Sequence, residues 1–250
     1  MRILVTFAVE AEFAPWRKLR EFRKLDSTDS DCFSSRIGDV ELTVLLTGMG
    51  CKRAWVQATK VIWGVDVDVC ISTGLAGALR PGHTVGETLV PANVLASKWD
   101  RVVPCDPMLI ESAVSAGAKR VASFYTADRV IVRADEKQRL GTLADAVEME
   151  SGEILFEAAA FGARVVAVRA ISDTSGEDLP LDFNKVSTEE GEVSIRKIVQ
   201  EAVGSPGSIP SLIRFGQQSR QAAETLAQFL ERFVRRLAVS PEVPSHEVMR

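Results

Sequence analysis

The stretch from Asp145 to Asp173 predicts a strand, a helix and a second strand, and this order constrains the fold more than any other feature of the chain. Apolar residues first alternate with acids and then recur at helical spacing until Gly162, a typical residue at a helix end. The apolar run Val165–Val168 is short and rich in β-branched residues, which indicates a buried strand that carries Asp173 at or just past its carboxyl end. The ends of these elements hold three acids, namely Glu148, Glu150 and Asp173.

Another buried strand is predicted near the amino terminus, where residues 2–9 are almost entirely apolar. Such a run is typical of a strand in the interior of a parallel or mixed sheet. Pro15 suits the first turn of the helix that follows, which places Glu12 in the turn between strand and helix. Glu12 is then either a functional acid or a charge that compensates the helix N-terminus, an effect of roughly 0.3–1 kcal/mol.

Two more predicted strands run into segments of small residues. The strand at residues 40–46 is followed by Thr47–Gly50, and the strand at residues 67–72 is followed by Thr73–Gly77. A loop of small residues lets a ligand approach the backbone and leaves amide groups free to bind it, although a tight turn would use the same residues. A dinucleotide site is disfavoured, because Arg53 stands where the fingerprint needs a third glycine.

Composition limits the possible partners. The 250 residues carry a net charge of -4 at pH 7, so no excess of Lys and Arg is available to neutralise the phosphates of a nucleic acid. The length favours a single domain at residues 1–239, followed by a flexible tail at residues 240–250. No apolar run approaches the roughly 20 residues of a membrane span, and no secretory signal is recognised. We therefore expect a cytoplasmic protein, with no membrane partner and with reduced cysteines.

Acids or small residues stand at the carboxyl ends of five predicted strands, where ligands bind in open α/β sheets. Several carboxylates around one pocket suit a reaction in which an acid protonates a leaving group and a base activates water, such as glycosidic cleavage. The two histidines and four dispersed cysteines match no metal-ligand or nucleophile motif, so we expect no metal, no cofactor and histidines at the surface. The five ends carry Glu12, Gly48 with Gly50, Thr73–Gly77, Glu148 with Glu150, and Asp173.

Two motifs, Val147–Ser151 and Val168–Asp173, resemble in order and spacing the nucleoside phosphorylase and nucleosidase superfamily, and within it the methylthioadenosine/S-adenosylhomocysteine nucleosidases. The resemblance extends over most of the chain. It implies an α/β fold, a three-layer α/β/α sandwich around a mixed, partly barrelled central sheet, and commonly a homodimer. Its other carriers are Ile3–Glu12, Thr47–Gly50, Thr73–Gly77 and Val85–Glu87.

The resemblance also implies how this chain would cleave the N-glycosidic bond of an adenine nucleoside. Asp173 would protonate N7 of the purine, and Glu12 would hold and deprotonate the attacking water. Glu150 would accept hydrogen bonds from the ribose 2′ and 3′ hydroxyls, with Met149 packed beside the sugar. The other implied substrate contacts are Val130 and Ile131, whose segment would line the base pocket with main-chain groups reading the purine edge, and Thr73, Gly74 and Ser172.

Three other functions stay open. The segment Leu75–Ala78 is similar to the loop of futalosine hydrolases, although those enzymes typically carry Asn at the position of Asp173. A phosphorylase would need an Arg-containing phosphate loop after the first strand, where this chain has acids that repel phosphate. A nucleoside-binding protein without turnover is the third alternative.

Three residues depart from the nucleosidase pattern or have no assigned role. The nucleosidases usually carry a Phe that stacks on the base where this chain has Val130. Glu148 is not assigned to substrate, since a buried ion pair is the alternative, and a structural role is favoured for Arg169.

Overall fold

The computed structural model describes residues 1–25, 31–186 and 209–239, so the predicted tail at residues 240–250 lies outside the described residues. The single domain at residues 1–239 stays a prediction. The strands are β1 (Arg2–Phe7), β2 (Arg23–Lys24), β3 (Asp31–Ile37), β4 (Val40–Leu46), β5 (Val69–Ala78), β6 (Thr88–Ala96), β7 (Arg101–Pro104), β8 (Lys119–Thr126), β9 (Ala146–Glu148) and β10 (Arg164–Asp173). The helices are α1 (Glu10–Arg17), α2 (Cys51–Gly64), α3 (Pro107–Ser115), α4 (Ala134–Leu140), α5 (Ser151–Ala160), α6 (Phe183–Val186) and α7 (Ile209–Val239).

Within the described residues, the strands form a ten-stranded mixed sheet that closes on itself in part. The order β10-β6-β8-β9-β5 is closed by a further pairing of β10 with β5, and from β5 the sheet continues through β1, β4, β3 and β2. Helices α2 and α5 pack together, α1 packs with α7, and both α5 and α7 contact β10. The predicted α/β/α fold with a partly barrelled central sheet is confirmed.

The apolar runs of β1 and α7 are buried in the hydrophobic core between the sheet and its helices. Strand β1 pairs in parallel with β4 on one edge and with β5 on the other, and its residues Ile3, Leu4 and Val5 are buried. The apolar stripe of α7, which includes Phe229 and Phe233, is buried in the same core. Among the described residues, no helix is long and apolar enough to cross a membrane.

Two local predictions are wrong. Thr73–Gly77 is not a loop, because β5 continues to Ala78 and stays paired with β10 along this segment. Its glycines serve close packing instead. Gly74 has a φ of +142°, and a Cβ there would lie only 2.9 Å from Oε1 of Glu12. The second wrong prediction placed Pro15 in the first turn of α1 and Glu12 before the helix. Helix α1 instead begins at Glu10 and contains both residues. The Glu12 carboxylate stabilises this earlier start, because it accepts hydrogen bonds from the N–H groups just before the helix.

Candidate active site

A cavity of about 540 Å³ lies at the carboxyl ends of the central strands. The ends of β9 and β10 reach it together with the first turn of α1, because β10 is paired with β5 and β5 with β1. Most of the residues predicted for the site meet in its wall. These are Glu12, Val130, Ile131, Met149, Glu150, Ser172 and Asp173.

Thr73 and Gly74 are not part of this wall. Strand β5 instead contributes Leu75, Ala76 and Gly77. Thr73 is buried behind them, and its carbonyl accepts a hydrogen bond from Nη1 of Arg169. The two residues therefore support the site from behind, and their predicted contact with substrate stays untested.

Arg169 is the central cation of the site, although only 1% of its surface is exposed. Its Nη2 lies 2.5 Å from Oε2 of Glu148 and 3.6 Å from Oε2 of Glu150. Nη2 also donates to Oγ of Ser151, at 3.0 Å. The side chain thus connects β10 to β9 and to the start of α5, which is the structural role that the sequence favoured for it.

Glu148 is bonded on both carboxylate oxygens. Oε2 accepts hydrogen bonds from the N–H groups of Glu150 and Ser151, at 3.1 and 2.8 Å, and Oε1 accepts one from Oγ1 of Thr126. Burial acts to raise the pKa of Glu148, but the charge of Arg169 and these hydrogen bonds outweigh it and lower the pKa below its ordinary value. Glu148 is therefore the ionised partner of Arg169, as the ion-pair alternative predicts, and none of its side chain is exposed.

Glu12 is held with its carboxylate between β1 and β5. Oε2 accepts a hydrogen bond from the N–H of Ala8 at 3.0 Å, and Oε1 accepts one from the N–H of Leu75 at 2.9 Å. Burial raises the pKa of Glu12, and the charge of Arg169 acts in the opposite direction. A fixed carboxylate with a raised pKa is suited to take a proton from water.

Glu150 precedes α5, and its Oε1 accepts a hydrogen bond from the N–H of Gly50 at 2.9 Å. Burial raises the pKa of Glu150 to about 7, with the Arg169 charge opposing the shift and the Glu148 charge adding to it. The carboxyl group therefore changes its protonation state close to neutral pH, and the ionised form is the stronger acceptor of hydrogen bonds from sugar hydroxyls.

We expect kcat/KM for a nucleoside to rise with pH and to level off above about 7, because the protonated form of Glu150 predominates below its pKa of about 7. Below that value, kcat/KM should fall by at least about tenfold per pH unit, because Glu12, whose pKa is also raised, has to be ionised as well. The measurement is initial rates at low substrate from two pH units below 7 to one above. The exposed variant Glu111→Gln is the control and should keep the same profile. A flat profile over this range would contradict the role given to Glu150.

Asp173 ends β10 and is held from two sides. Its Oδ1 accepts a hydrogen bond from Oγ of Ser172 at 2.7 Å, and its Oδ2 accepts one from Nζ of Lys137. Sequence reasoning missed Lys137, which lies in α4 among Asp135, Glu136 and Arg139. One lysine in a charged helix carries no signal of burial.

The wall expected to face a base differs in part from the prediction. Val130 lines the cavity, but its N–H and C=O groups are hydrogen-bonded to the side-chain amide of Asn184, at 2.9 and 3.0 Å. The main-chain groups of Val130 are therefore already hydrogen-bonded within the chain, and reading of the purine edge by the main chain of this segment stays a prediction. Sequence reasoning also missed α7, whose Phe215 and Ala223 line the cavity, because an apolar stripe on a helix is the ordinary signal of packing against a core.

The His, Cys, Asp and Glu side chains of the described residues are the candidate ligands for a metal ion. Within residues 1–25, 31–186 and 209–239, no group of three or more His, Cys, Asp or Glu side chains is arranged to hold a metal ion. The prediction of a surface position is wrong for His83, which is buried with Nδ1 2.8 Å from Oε2 of Glu87. His246 lies outside the described residues.

Comparisons with known proteins connect the chain to one family. Residues 2–204 match the family described as "Phosphorylase superfamily". The chain is 22% identical over 225 residues to the aminodeoxyfutalosine nucleosidase of Campylobacter jejuni, a match that covers 80% of this chain and 97% of that protein. It is 24% identical over 212 residues to the 5′-methylthioadenosine/S-adenosylhomocysteine nucleosidase of Anoxybacillus flavithermus, with 74% and 90% covered.

A solved structure shares the fold. The S-adenosylhomocysteine nucleosidase of Streptococcus pyogenes in complex with 5-methylthiotubericidin superposes with a TM-score of 0.73 and 19% identity, covering 95% of this chain and 97% of that one. At this level of identity, the likeness concerns the fold alone.

Proposed function

Because the chain belongs to the phosphorylase superfamily, we propose that it is a purine nucleosidase, which hydrolyses the N-glycosidic bond of an adenine nucleoside such as methylthioadenosine or S-adenosylhomocysteine. One observation carries the proposal. Glu12, from near the amino terminus, lines the same cavity as Glu150 and Asp173. The named nucleosidases among the relatives support the same reaction class.

Each acid then has a separate task. Asp173 delivers a proton to N7, so that the base leaves as a neutral molecule when the bond between N9 and C1′ breaks. Glu12 takes a proton from the water that attacks C1′. Glu150 accepts hydrogen bonds from the ribose hydroxyls, which strengthen as the sugar becomes positively charged in the transition state. Arg169 and Glu148 hold Glu150 in place, and the charge of Arg169 also acts on Glu12.

Water fits the site better than phosphate as the nucleophile. The first turn of α1 presents Glu12, whose charge repels an anion. Two arginines line the cavity, but Arg129 is paired with Glu136 and Arg220 is paired with Glu224 at 2.9 Å. Their positive charges are therefore already compensated by carboxylates.

The cavity also has apolar walls, to which Pro15, Met49 and Phe215 contribute. Such walls suit an apolar 5′ substituent, for example the methylthio group.

The second candidate is a futalosine-type nucleoside hydrolase, which is favoured by the segment Leu75–Ala78 and by the Campylobacter jejuni relative. Asp173 favours an adenine base over the hypoxanthine of futalosine, but it does not discriminate against aminodeoxyfutalosine, which also carries adenine. A nucleoside-binding protein without turnover is the third reading, and the three acids in the cavity argue against it.

The test of this function is release of a free base in buffer from which phosphate has been removed. Methylthioadenosine, S-adenosylhomocysteine and aminodeoxyfutalosine are incubated separately with the protein, and the products are separated by chromatography. We expect adenine from the first two. Strict dependence on added phosphate would assign a phosphorylase, and tight binding of a nucleoside without any product would assign a binding protein.

We also propose that the chain forms a homodimer through the face made by α2 and α5, called here the α2–α5 face. Large aromatic side chains are exposed on it, at between 42% and 67% of their surface, and contiguous exposed apolar surface is typical of a contact between proteins. Their polar ends are already bonded within the chain, since both indole nitrogens donate to Glu157. The aromatic residues are Trp55, Trp63, Phe156 and Phe161.

Replacing two residues of this face is expected to give a monomer. The double variant Trp63→Glu with Phe161→Glu puts charges where the two ring centroids lie 5.9 Å apart, and burying these charges in a dimer would be unfavourable. Light scattering coupled to gel filtration should give about twice 27.2 kDa for the unchanged protein and 27.2 kDa for the variant. Leu19→Glu, at another exposed apolar position, should stay dimeric. A monomeric unchanged protein would contradict the proposal.

A cytoplasmic location and the absence of a nucleic-acid partner rest on composition and stay predictions.

A further inference from the structure

The ion pair between Lys137 and Asp173 is a feature that the three assigned acids do not explain. Only 1% of Lys137 is exposed, and its Nζ donates to Oδ2 of Asp173. The same nitrogen donates to the carbonyls of Glu177, at 2.8 Å, and of Thr174, at 3.2 Å. A fully buried lysine is rare and requires a partner for its charge. Here the partner is the acid that is assigned to the purine.

Nζ of Lys137 has three oxygen neighbours, and an ammonium, with three N–H groups, donates to all of them. A neutral amine fits the same contacts, with its two N–H groups on the carbonyls and its lone pair accepting the proton of Asp173. In both arrangements one proton is shared between Nζ and Oδ2, and in the ion pair it is on Nζ. A carboxylate cannot protonate N7. If Asp173 acts on the purine, a proton has to reach it first, and the lysine is the group that already shares one with it.

We propose that Lys137 is the source of the proton that Asp173 delivers to N7. This inference rests on the proposed nucleosidase function. Lys137 touches no reacting atom, so it acts through Asp173 and is a positioning residue in that sense. Binding of the nucleoside removes water from the cavity, and loss of water disfavours both charged forms of the pair. The proton then moves from Nζ to Oδ2, which converts an ion pair into a neutral amine and a neutral carboxylic acid.

The steps balance in atoms and charge. As the bond between N9 and C1′ breaks, its electron pair goes to the base, and the proton on Asp173 goes to N7. Asp173 is again a carboxylate and Lys137 a neutral amine, so the pair carries one negative charge beside the positively charged sugar. Water bonds to C1′ and loses one proton to Glu12. After the products leave, Glu12 releases a proton to solvent and Lys137 takes one up, which restores the starting state.

The competing explanation is that Lys137 is only a tether. Its bonds to the carbonyls of Thr174 and Glu177 hold the segment after β10 in place, and its charge alone orients Asp173. Arginine separates the two explanations. It keeps the positive charge and the N–H donors, but it does not give up a proton in proteins. A tether tolerates Lys137→Arg, whereas a proton source does not.

The experiment compares Lys137→Arg and Lys137→Met with the unchanged protein in two measurements. The first is kcat for release of adenine from methylthioadenosine. The second is the affinity, by calorimetry, for a 7-deaza analogue of that nucleoside, which has carbon in place of N7 and so takes no proton. We expect both variants to lose about 100-fold or more in kcat, as for loss of general acid catalysis. Their affinity for the analogue should stay within about threefold, since the contacts that bind it are unchanged.

The control is Lys119→Met, which removes a half-exposed lysine that pairs with Glu87 at 3.0 Å, and it should leave both quantities unchanged. Retention of kcat in Lys137→Arg would overturn the proposal, because charge alone would then suffice. Loss of affinity for the analogue in step with kcat, or failure of both variants to fold, would also overturn it and assign Lys137 to the structure. If the unchanged protein releases no base from any nucleoside, the proposed function itself fails, which is a separate result.

Discussion

Asp173→Asn is expected to lower kcat for an adenine nucleoside by about 10²–10⁴-fold, the usual contribution of a general acid. The amide keeps the shape of the side chain and can still accept a hydrogen bond from Lys137, but it has no acidic proton for N7. Because protonation matters mainly in the transition state, KM should change far less than kcat. Steady-state kinetics with methylthioadenosine measure both quantities, and a thermal melt checks that the variant is folded.

Asp135→Asn is the matched control for this variant. Asp135 is half-exposed in α4, where it pairs with Arg133 at 2.9 Å and Arg139 at 3.1 Å, so the change should leave turnover intact. Equal losses in kcat and in substrate affinity for Asp173→Asn would mean that Asp173 binds the base without protonating it.

Arg169→Met is expected to lower the free energy of unfolding by about 3–5 kcal/mol, the usual cost of breaking a buried ion pair from one side. The change leaves Glu148 ionised and without its cation, in a position where none of its side chain is exposed. Urea unfolding followed by circular dichroism measures the difference.

The same change should raise the pKa of Glu150, because Arg169 opposes its upward shift. The rising part of the profile of kcat/KM against pH should therefore move to higher pH.

An exposed ion pair provides the control for Arg169→Met. Arg36 pairs with Glu41 at 2.7 Å, with 69% and 56% of the two side chains exposed, and Arg36→Met should cost less than about 1 kcal/mol. The double variant Arg169→Met with Glu148→Gln should recover part of the loss, because no uncompensated charge is left. If Arg169→Met costs no more than Arg36→Met, the pair does not have the structural role described here.

The local order of elements could be predicted from the sequence because its signals are local. A strand shows as a short β-branched run and a helix as a repeat of about 3.6 residues, so β9, α5 and β10 were expected close to their observed bounds. The prediction of a loop at Thr73–Gly77 was wrong. Glycine is equally compatible with a turn and with a strand that packs closely, and only the pairing of β5 with β10 decided between them.

The sequence by itself determined the fold class, the family resemblance and the acids Glu12, Glu150 and Asp173, because residue types and spacings carry that information. Only the tertiary structure decided how these acids are charged. Arg169 reaches the carbonyl of Thr73 across 96 positions, and Lys137 reaches Asp173 across 36. The protonation of a carboxyl depends on its burial and on the charges within a few ångströms, and those neighbours come together only when β10 closes the sheet.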